Sequence, residues 1–178
     1  MTRTTTKRTA RSVLVSIAAL FVMFVFAGPA SAATTINPSA APSGTHLQTG
    51  SIGCASDGLT VTCSTFELAG VGNANAVATL NATYSATVTC TNKGGQLVEV
   101  KTQTTTSSST GILTSDKNGR LTVPALTSTA PSTQSFLDQA TCPNGNWTKN
   151  LSGSVQLVSF TYTLHFVGFT GNYITITG

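Results

Sequence analysis

From Ala76 to Cys90 the chain alternates without a break. Ala76, Ala78, Leu80, Ala82, Tyr84, Ala86, Val88 and Cys90 hold the even positions, and Thr79, Asn81, Thr83, Ser85, Thr87 and Thr89 lie between them. A period of two marks a β-strand with one face in a core and the other in water. At ~3.4 Å per residue the run would reach about 50 Å, longer than an ordinary strand. A bend or bulge is therefore expected to split it. Cys90 falls on the apolar face, where a core disulfide belongs.

Shorter runs repeat the pattern. Ile52 to Phe66 reads as a hairpin around Asp57-Gly58. A two-residue Asp-Gly turn would set Cys54 opposite Val61, whereas a loop from Asp57 to Thr60 sets it opposite Cys63. Leu97 to Thr106 places Val98, Val100, Thr102 and Thr104 on one face and Glu99, Lys101 and Gln103 on the other. Asn92-Lys93-Gly94-Gly95 is a turn before it, and Ser107 to Gly111 a loop after it. Ile112 to Val123 reads as a hairpin about Asp116-Lys117-Asn118-Gly119, because Asn-Gly accepts positive φ. Thr127 to Ser135 has the composition of a linker, and Cys142 to Trp147 that of a tight turn. Val158, Phe160, Tyr162, Leu164 and Phe166 line one face of a further strand. After a turn at Gly168 to Asn172, Tyr173 to Thr177 closes the chain with Ile174 and Ile176 inward. No segment after residue 32 carries a 3.6-residue period. Many short strands with regular turn signals predict an all-β fold: an antiparallel immunoglobulin-like β-sandwich, with a small β-barrel as the alternative.

The N-terminus has a different character. Arg3, Lys7, Arg8 and Arg11 precede an apolar run from Val13 to Phe26, and Ala30-Ser31-Ala32 supplies a small-x-small cleavage pattern. This predicts a signal peptide over residues 1–32. The apolar run is shorter than the ~18 residues of a spanning helix, and no second such run follows. A secreted product, without a membrane segment in its mature form, is expected. Residues 33–50, rich in Ala, Ser, Thr and Pro, read as a flexible lead-in with one edge strand near its end, and residues 51–178 as a single domain.

Removing the signal changes the charge balance. The net charge of +4 resides in those four N-terminal basic residues. Beyond them Lys93, Lys101, Lys117, Arg120 and Lys149 balance Asp57, Glu67, Glu99, Asp116 and Asp138 one for one. No basic stripe remains for nucleic acid. The four cysteines, Cys54, Cys63, Cys90 and Cys142, all follow the signal, so two disulfides are expected. Of three connectivities, Cys54–Cys63 with Cys90–Cys142 is the one expected here. Paired C-x-x-C spacing is absent, which argues against zinc.

The segments Ala86-Thr87-Val88-Thr89-Cys90-Thr91-Asn92-Lys93-Gly94-Gly95, Asp116-Lys117-Asn118-Gly119 and Cys142-Pro143-Asn144-Gly145-Asn146-Trp147 resemble a group of small secreted actinobacterial proteins. Members share a signal peptide, two cysteine pairs and a predicted β-sandwich. The resemblance covers most of residues 50–167. It implies compartment and fold, and no activity.

Little in the chain suggests chemistry. His46 lies in the lead-in and His165 on the polar face of its strand. There is no G-x-S-x-G elbow. Asp57 and Asp116 occupy turns, where Asp bonds its own backbone, and Glu99 and Lys101 read as a solvated pair. No D-x-D-x-D run suggests calcium. Asn81-Ala82-Thr83, Asn146-Trp147-Thr148 and Asn150-Leu151-Ser152 match the N-glycosylation pattern, which arises readily in a chain rich in Asn and Thr. Trp147, the single tryptophan, has two readings: packed on the Cys90–Cys142 bridge, or exposed as a platform for a sugar ring. Tyr84, Tyr162, Phe169 and Tyr173 would extend such a platform, and Phe169, at the tip of the last hairpin, is the best placed of them for exposure. The expected function is a non-enzymatic structural or interaction module of the extracellular space or cell surface, without cofactor. Its partner would be a cell-wall polysaccharide or another extracellular protein. A carbohydrate-binding module is the first alternative. A small-molecule carrier of the neocarzinostatin type is the second, although that type has a short second disulfide loop and Cys90–Cys142 would close a long one. Coplanar exposed aromatics would favour sugar, a cavity between the sheets a carrier, and a long bare edge strand pairing with a partner.

Overall fold

The computed structural model describes residues 32–178. The expected signal peptide thus lies outside the described residues except for Ala32. The alternating run forms one strand, β6 (Ala76–Thr91), with every even residue buried. It is not split. β6 is central and is held on both sides, by β7 (Leu97–Ser109) in an uninterrupted register and by β10 (Thr148–Phe166). The irregularities sit in β10, between Ser152 and Gln156 and between Leu157 and Ser159. They fall where β10 has lost its other neighbour, since β11 (Ile174–Thr177) pairs only with Thr161 to Leu164. A strand paired on one side can absorb extra residues that a strand paired on both sides cannot. Gly153, at φ +80°, takes the left-handed conformation that the first bulge needs. The second bulge turns Val158 outward, 49% exposed, against the inward position its spacing predicts.

β1 (Ala33–Ile36) completes this five-stranded sheet in the order β1-β11-β10-β6-β7. Two three-stranded sheets form the opposing layer. One contains β2 (His46–Gly50), β5 (Phe66–Ala69) and β8 (Arg120–Val123); the other contains β3 (Cys54–Asp57), β4 (Thr60–Cys63) and β9 (Leu126–Thr129). The chain passes directly from β4 to β5 through Ser64-Thr65, and from β8 to β9 through Pro124-Ala125. Pro124 has no N–H for a ladder, which favours an interruption there. All pairings are antiparallel and none of the described sheets closes, so the barrel alternative is not adopted.

Residues 33–50 hold the expected edge strand near their end, β2, and also supply β1. Ile36 pairs with Ile174, and the Asn37 amide donates to the Tyr173 carbonyl at 2.8 Å. β1 lies exposed along its whole length, so it leaves no burial pattern in the sequence. The expected linker at Thr127 to Ser135 instead contains most of β9 and the start of a helix, α1 (Thr133–Gln139). At seven residues, with only Phe136 buried, α1 is too short to print a helical period. β7 runs to Ser109, and the hairpin expected over Ile112 to Val123 has one strand, β8; Leu113 makes only a lone bridge to Ala76.

The core lies between the layers. Leu80, Tyr84, Tyr162, Leu164, Phe166 and Ile174 come from the large sheet, and Val61, Leu68, Leu121, Val123 and Phe136 from the facing elements. Cys54 stands directly opposite Cys63 and bonds to it. The loop between them is Gly58-Leu59, with Gly58 at φ +56°, as a two-residue hairpin with glycine in its first position demands. Cys90 bonds to Cys142 and ties the end of β6 to the chain that leaves α1. The bridges span 9 and 52 residues of sequence. On loop-closure entropy, the Cys90→Ser/Cys142→Ser variant should lose about 4 kcal/mol and the Cys54→Ser/Cys63→Ser variant about 2.5 kcal/mol. Thermal unfolding of both variants checks the order; equal losses would show that loop length does not govern it.

Two buried tyrosines differ in how they end. The Tyr84 hydroxyl donates to the Ser128 carbonyl at 3.2 Å. The Tyr162 hydroxyl has no partner among the described residues, and burial pushes its pKa well up. Tyr84→Phe should therefore cost about 1 kcal/mol, while Tyr162→Phe should be neutral or mildly stabilising. A tyrosine raised above its unfolded value of ~10 supports the fold fully below that pH and loses that support as pH rises beyond it. Denaturant titrations at neutral and alkaline pH should show that Tyr162→Phe flattens the alkaline fall in stability.

Candidate functional site

Trp147 sits at the end of the sheet where Thr148 pairs with Thr91. Two turns meet there. In the β6–β7 turn, the Asn92 side chain accepts from the Gln96 amide at 2.9 Å and donates to the Gln96 side chain at 2.7 Å. In the turn after Cys142, the Asn144 side chain accepts from the Asn146 amide at 3.1 Å, and the Trp147 amide donates to the Asn144 carbonyl at 3.4 Å. The Cys90–Cys142 bridge holds the second turn beside the first. Behind them, the Lys149 ammonium donates to the Leu137 carbonyl of α1 at 3.0 Å.

Trp147 is half-buried and stands outside the core. It lines two shallow cavities. One, of about 420 Å³, is formed with Asn92, Lys93, Gly94, Gln96, Asn144 and Asn146. The other, of about 360 Å³, shares Asn144 and includes Asp138, Cys142 and Lys149. Trp147 thus lies outside the core cluster, while its indole and Cys142 of the bridge border a common cavity. The larger cavity combines an indole, four carboxamides and one cation. Each carboxamide both donates and accepts, and an indole offers a flat apolar face with one N–H. Such a set suits a neutral, many-hydroxyl ligand.

Phe169 and Tyr173 do not extend this site. They lie near the opposite end of β6, where Phe166 pairs with Ala76, roughly 50 Å from Trp147 by strand length. Tyr173 is 4% exposed, packs edge-on to Phe166 at 5.6 Å and donates to the Thr45 carbonyl at 3.4 Å. Phe169 is half-buried against the same ring at 6.3 Å. Both serve an aromatic cluster that closes that end of the core.

No protein family, curated protein or solved structure matches this chain. Its sites must be read from their own chemistry.

A second accessible surface is the outer face of the five-stranded sheet. Thr35, Thr175, Thr163, Thr79 and Ser109 form one row across all five strands, and Thr177, Thr161, Asn81 and Ser107 part of the next. Neighbouring strands put these hydroxyls about 4.8 Å apart. Where β10 bulges, a cavity of about 370 Å³ opens on this face among Ser85, Thr87, Lys101, Gln103, Ser154 and Gln156.

Seven of the ionisable groups, His46, Glu67, Asp116, Arg120, Asp138, Lys149 and His165, serve local structure. The ring nitrogens of His46 and His165 lie 2.8 and 2.7 Å from the carbonyls of Gly44 and Gly171. Glu67 pairs with Arg120 at 3.0 Å, Asp116 accepts from the Asn118 and Arg120 amides, and Asp138 accepts from Gln134. Among the described residues no three His, Cys, Asp or Glu gather as a metal site.

Sequence reasoning found Trp147 and missed Asn92 and Gln96. The signal was present: each turn follows a cysteine of the same expected bridge. Fluorescence of the single tryptophan should be red-shifted relative to a core indole and readily quenched by acrylamide. A blue-shifted, fully protected signal would refute the partly exposed placement.

Proposed function

We propose that this chain is a secreted, non-enzymatic interaction module of the extracellular space or cell surface, and that its Trp147 cleft binds a neutral polysaccharide. The observation that carries the reading is the cleft itself: a half-buried indole beside Asn92, Gln96, Asn144 and Asn146. An indole stacks on the apolar face of a sugar ring while carboxamides replace the water on its hydroxyls. A secreted setting agrees with both disulfides and with the signal-like N-terminus. No helix of the described residues is long and apolar enough to cross a membrane. The likeness to small actinobacterial secreted proteins belongs to the same proposal and points to a bacterial cell wall as the source of the polysaccharide.

The immunoglobulin-like character of the sandwich is part of this reading too. Two facing antiparallel layers around one core support it, while the division of strands, five against two sets of three, differs from the four-plus-three of a constant domain. A carrier role is less well supported, because Tyr84, Tyr162, Phe136 and Phe166 fill the interval between the layers.

Binding to insoluble bacterial cell wall, cellulose and chitin, and to soluble mannan, tests the proposal. At least one should bind with an affinity indifferent to salt. Trp147→Ala should weaken that binding at least tenfold, which is about 1.4 kcal/mol, and Phe169→Ala should leave it unchanged. Equal binding by Trp147→Ala and the parent would overturn the assignment of the cleft.

A further inference from the structure

The edge strand β7, which begins one residue after Gln96 of the Trp147 cleft, carries a second inference that rests on observations other than the cleft. β7 ends the five-stranded sheet, and it is 13 residues long. The sheet's other edge, β1, has four. The outer strands of the small sheets, β2, β3, β8 and β9, have four or five. Proteins blunt long edges with proline, bulges or a covering segment. β7 contains no proline, and its register against β6 has no shift.

The ladder fixes which backbone groups are free. The Asn92 amide donates to the Gln96 carbonyl at 3.1 Å at one end, and the Thr110 amide donates to the Ala78 carbonyl at 3.0 Å at the other. Even residues of β7 therefore aim their backbone groups at β6. Odd residues, Glu99, Lys101 and Gln103 among them, aim theirs away from the sheet. Among the described residues no backbone hydrogen bond reaches that side.

The two halves of this edge differ. Thr104 and Thr106 are engaged from the inner side, by Gln139 of α1 and Ser128 of β9. In the half from Leu97 to Gln103 only Thr102 is buried, 6% exposed and donating to the Ala86 carbonyl of β6 at 3.3 Å; this half carries the strand's apolar and charged side chains. Leu97 is 65% and Val98 41% exposed. Glu99 and Lys101 lie two positions apart on the outer face.

That spacing is self-complementary. We propose that Leu97–Gln103 pairs antiparallel with the same segment of a second copy of this chain, about a two-fold axis through Val100. In this register Glu99 faces Lys101 of the second copy, and Lys101 faces its Glu99, so two ion pairs form at once. Val98 meets Thr102 of the second copy, and the two Val100 side chains meet on the axis as a close non-hydrogen-bonded pair. The two large sheets join into one of ten strands, in an isologous, closed arrangement. The near-neutral mature chain offers no net repulsion to such association.

Light scattering coupled to size exclusion, and sedimentation equilibrium on the mature secreted protein, test this. The parent should show a concentration-dependent dimer. Glu99→Lys alone sets Lys against Lys, and Lys101→Glu alone sets Glu against Glu; each should raise the dissociation constant at least tenfold. The double exchange Glu99→Lys/Lys101→Glu should restore the dimer. Gln103→Pro removes an outward amide without touching the β6 ladder, and should also give monomer. Unchanged circular dichroism and melting temperature show that each variant is folded. A parent that stays monomeric, single reversals that dimerise like the parent, or a double exchange that stays monomeric would each overturn the proposal. Trp147→Ala should dimerise as the parent does, so failure of the polysaccharide reading leaves this one standing.

Discussion

The fold depends on one long ladder. β6 is paired through nearly its whole length with β10 on one side and β7 on the other, and its eight even residues are all buried. A one-residue slip would move every one of them to the solvent face. The ladder is thus held by burial on a single face, summed over both neighbours. Everything irregular has been moved off it: the bulges to β10, the turns to its ends, and the interruptions at Ser64-Thr65 and Pro124-Ala125 to the opposing layer.

The same ladder separates the molecule's two ends by roughly 50 Å. At one, Phe166, Phe169 and Tyr173 close the core with edge-on ring contacts. At the other, the Cys90–Cys142 bridge brings together two polar turns and leaves an indole half out of the core. The difference lies in the connecting segments at each end. Gly168 to Asn172 returns the chain into β11, whose isoleucines are buried. The turns around Asn92 and Asn144 satisfy their backbone groups with their own carboxamides, so they need no apolar cover and keep a polar, open surface.

The outer face shows how a sheet stays wettable with very little charge. Threonine and serine supply hydroxyls while the β-branched threonine favours the pleated backbone. Some hydroxyls bond one another across strands, as Thr83 and Thr105 do at 2.9 Å. The cost of such a surface is weak protection of its edge. Of the residues in β7 only Glu99 and Lys101 are charged, and their opposite signs make them better suited to pairing than to repulsion.

The sequence by itself determined the long alternating strands, the two disulfides, and the turns at Asn92–Gly95, Asp116–Gly119 and Cys142–Trp147, but not the short β9, whose Ser and Thr content reads as linker. These are local properties: a period of two, a cysteine on the apolar face, a glycine or asparagine that accepts an uncommon conformation. It did not disclose β1, whose side chains are all exposed and whose partner lies at the other end of the chain. Nor did it disclose α1, too short for a period, or the outward turn of Val158, which results from a bulge set by pairing on one side only. The candidate site divides in the same way. Trp147 stood out as a residue type in a polar turn. Only the tertiary structure decided that Asn92 and Gln96 join it while Phe169 and Tyr173 do not. Residue spacing along one strand does not say which end of the sheet the next turn reaches, and long-range pairing and the Cys90–Cys142 bridge settle that.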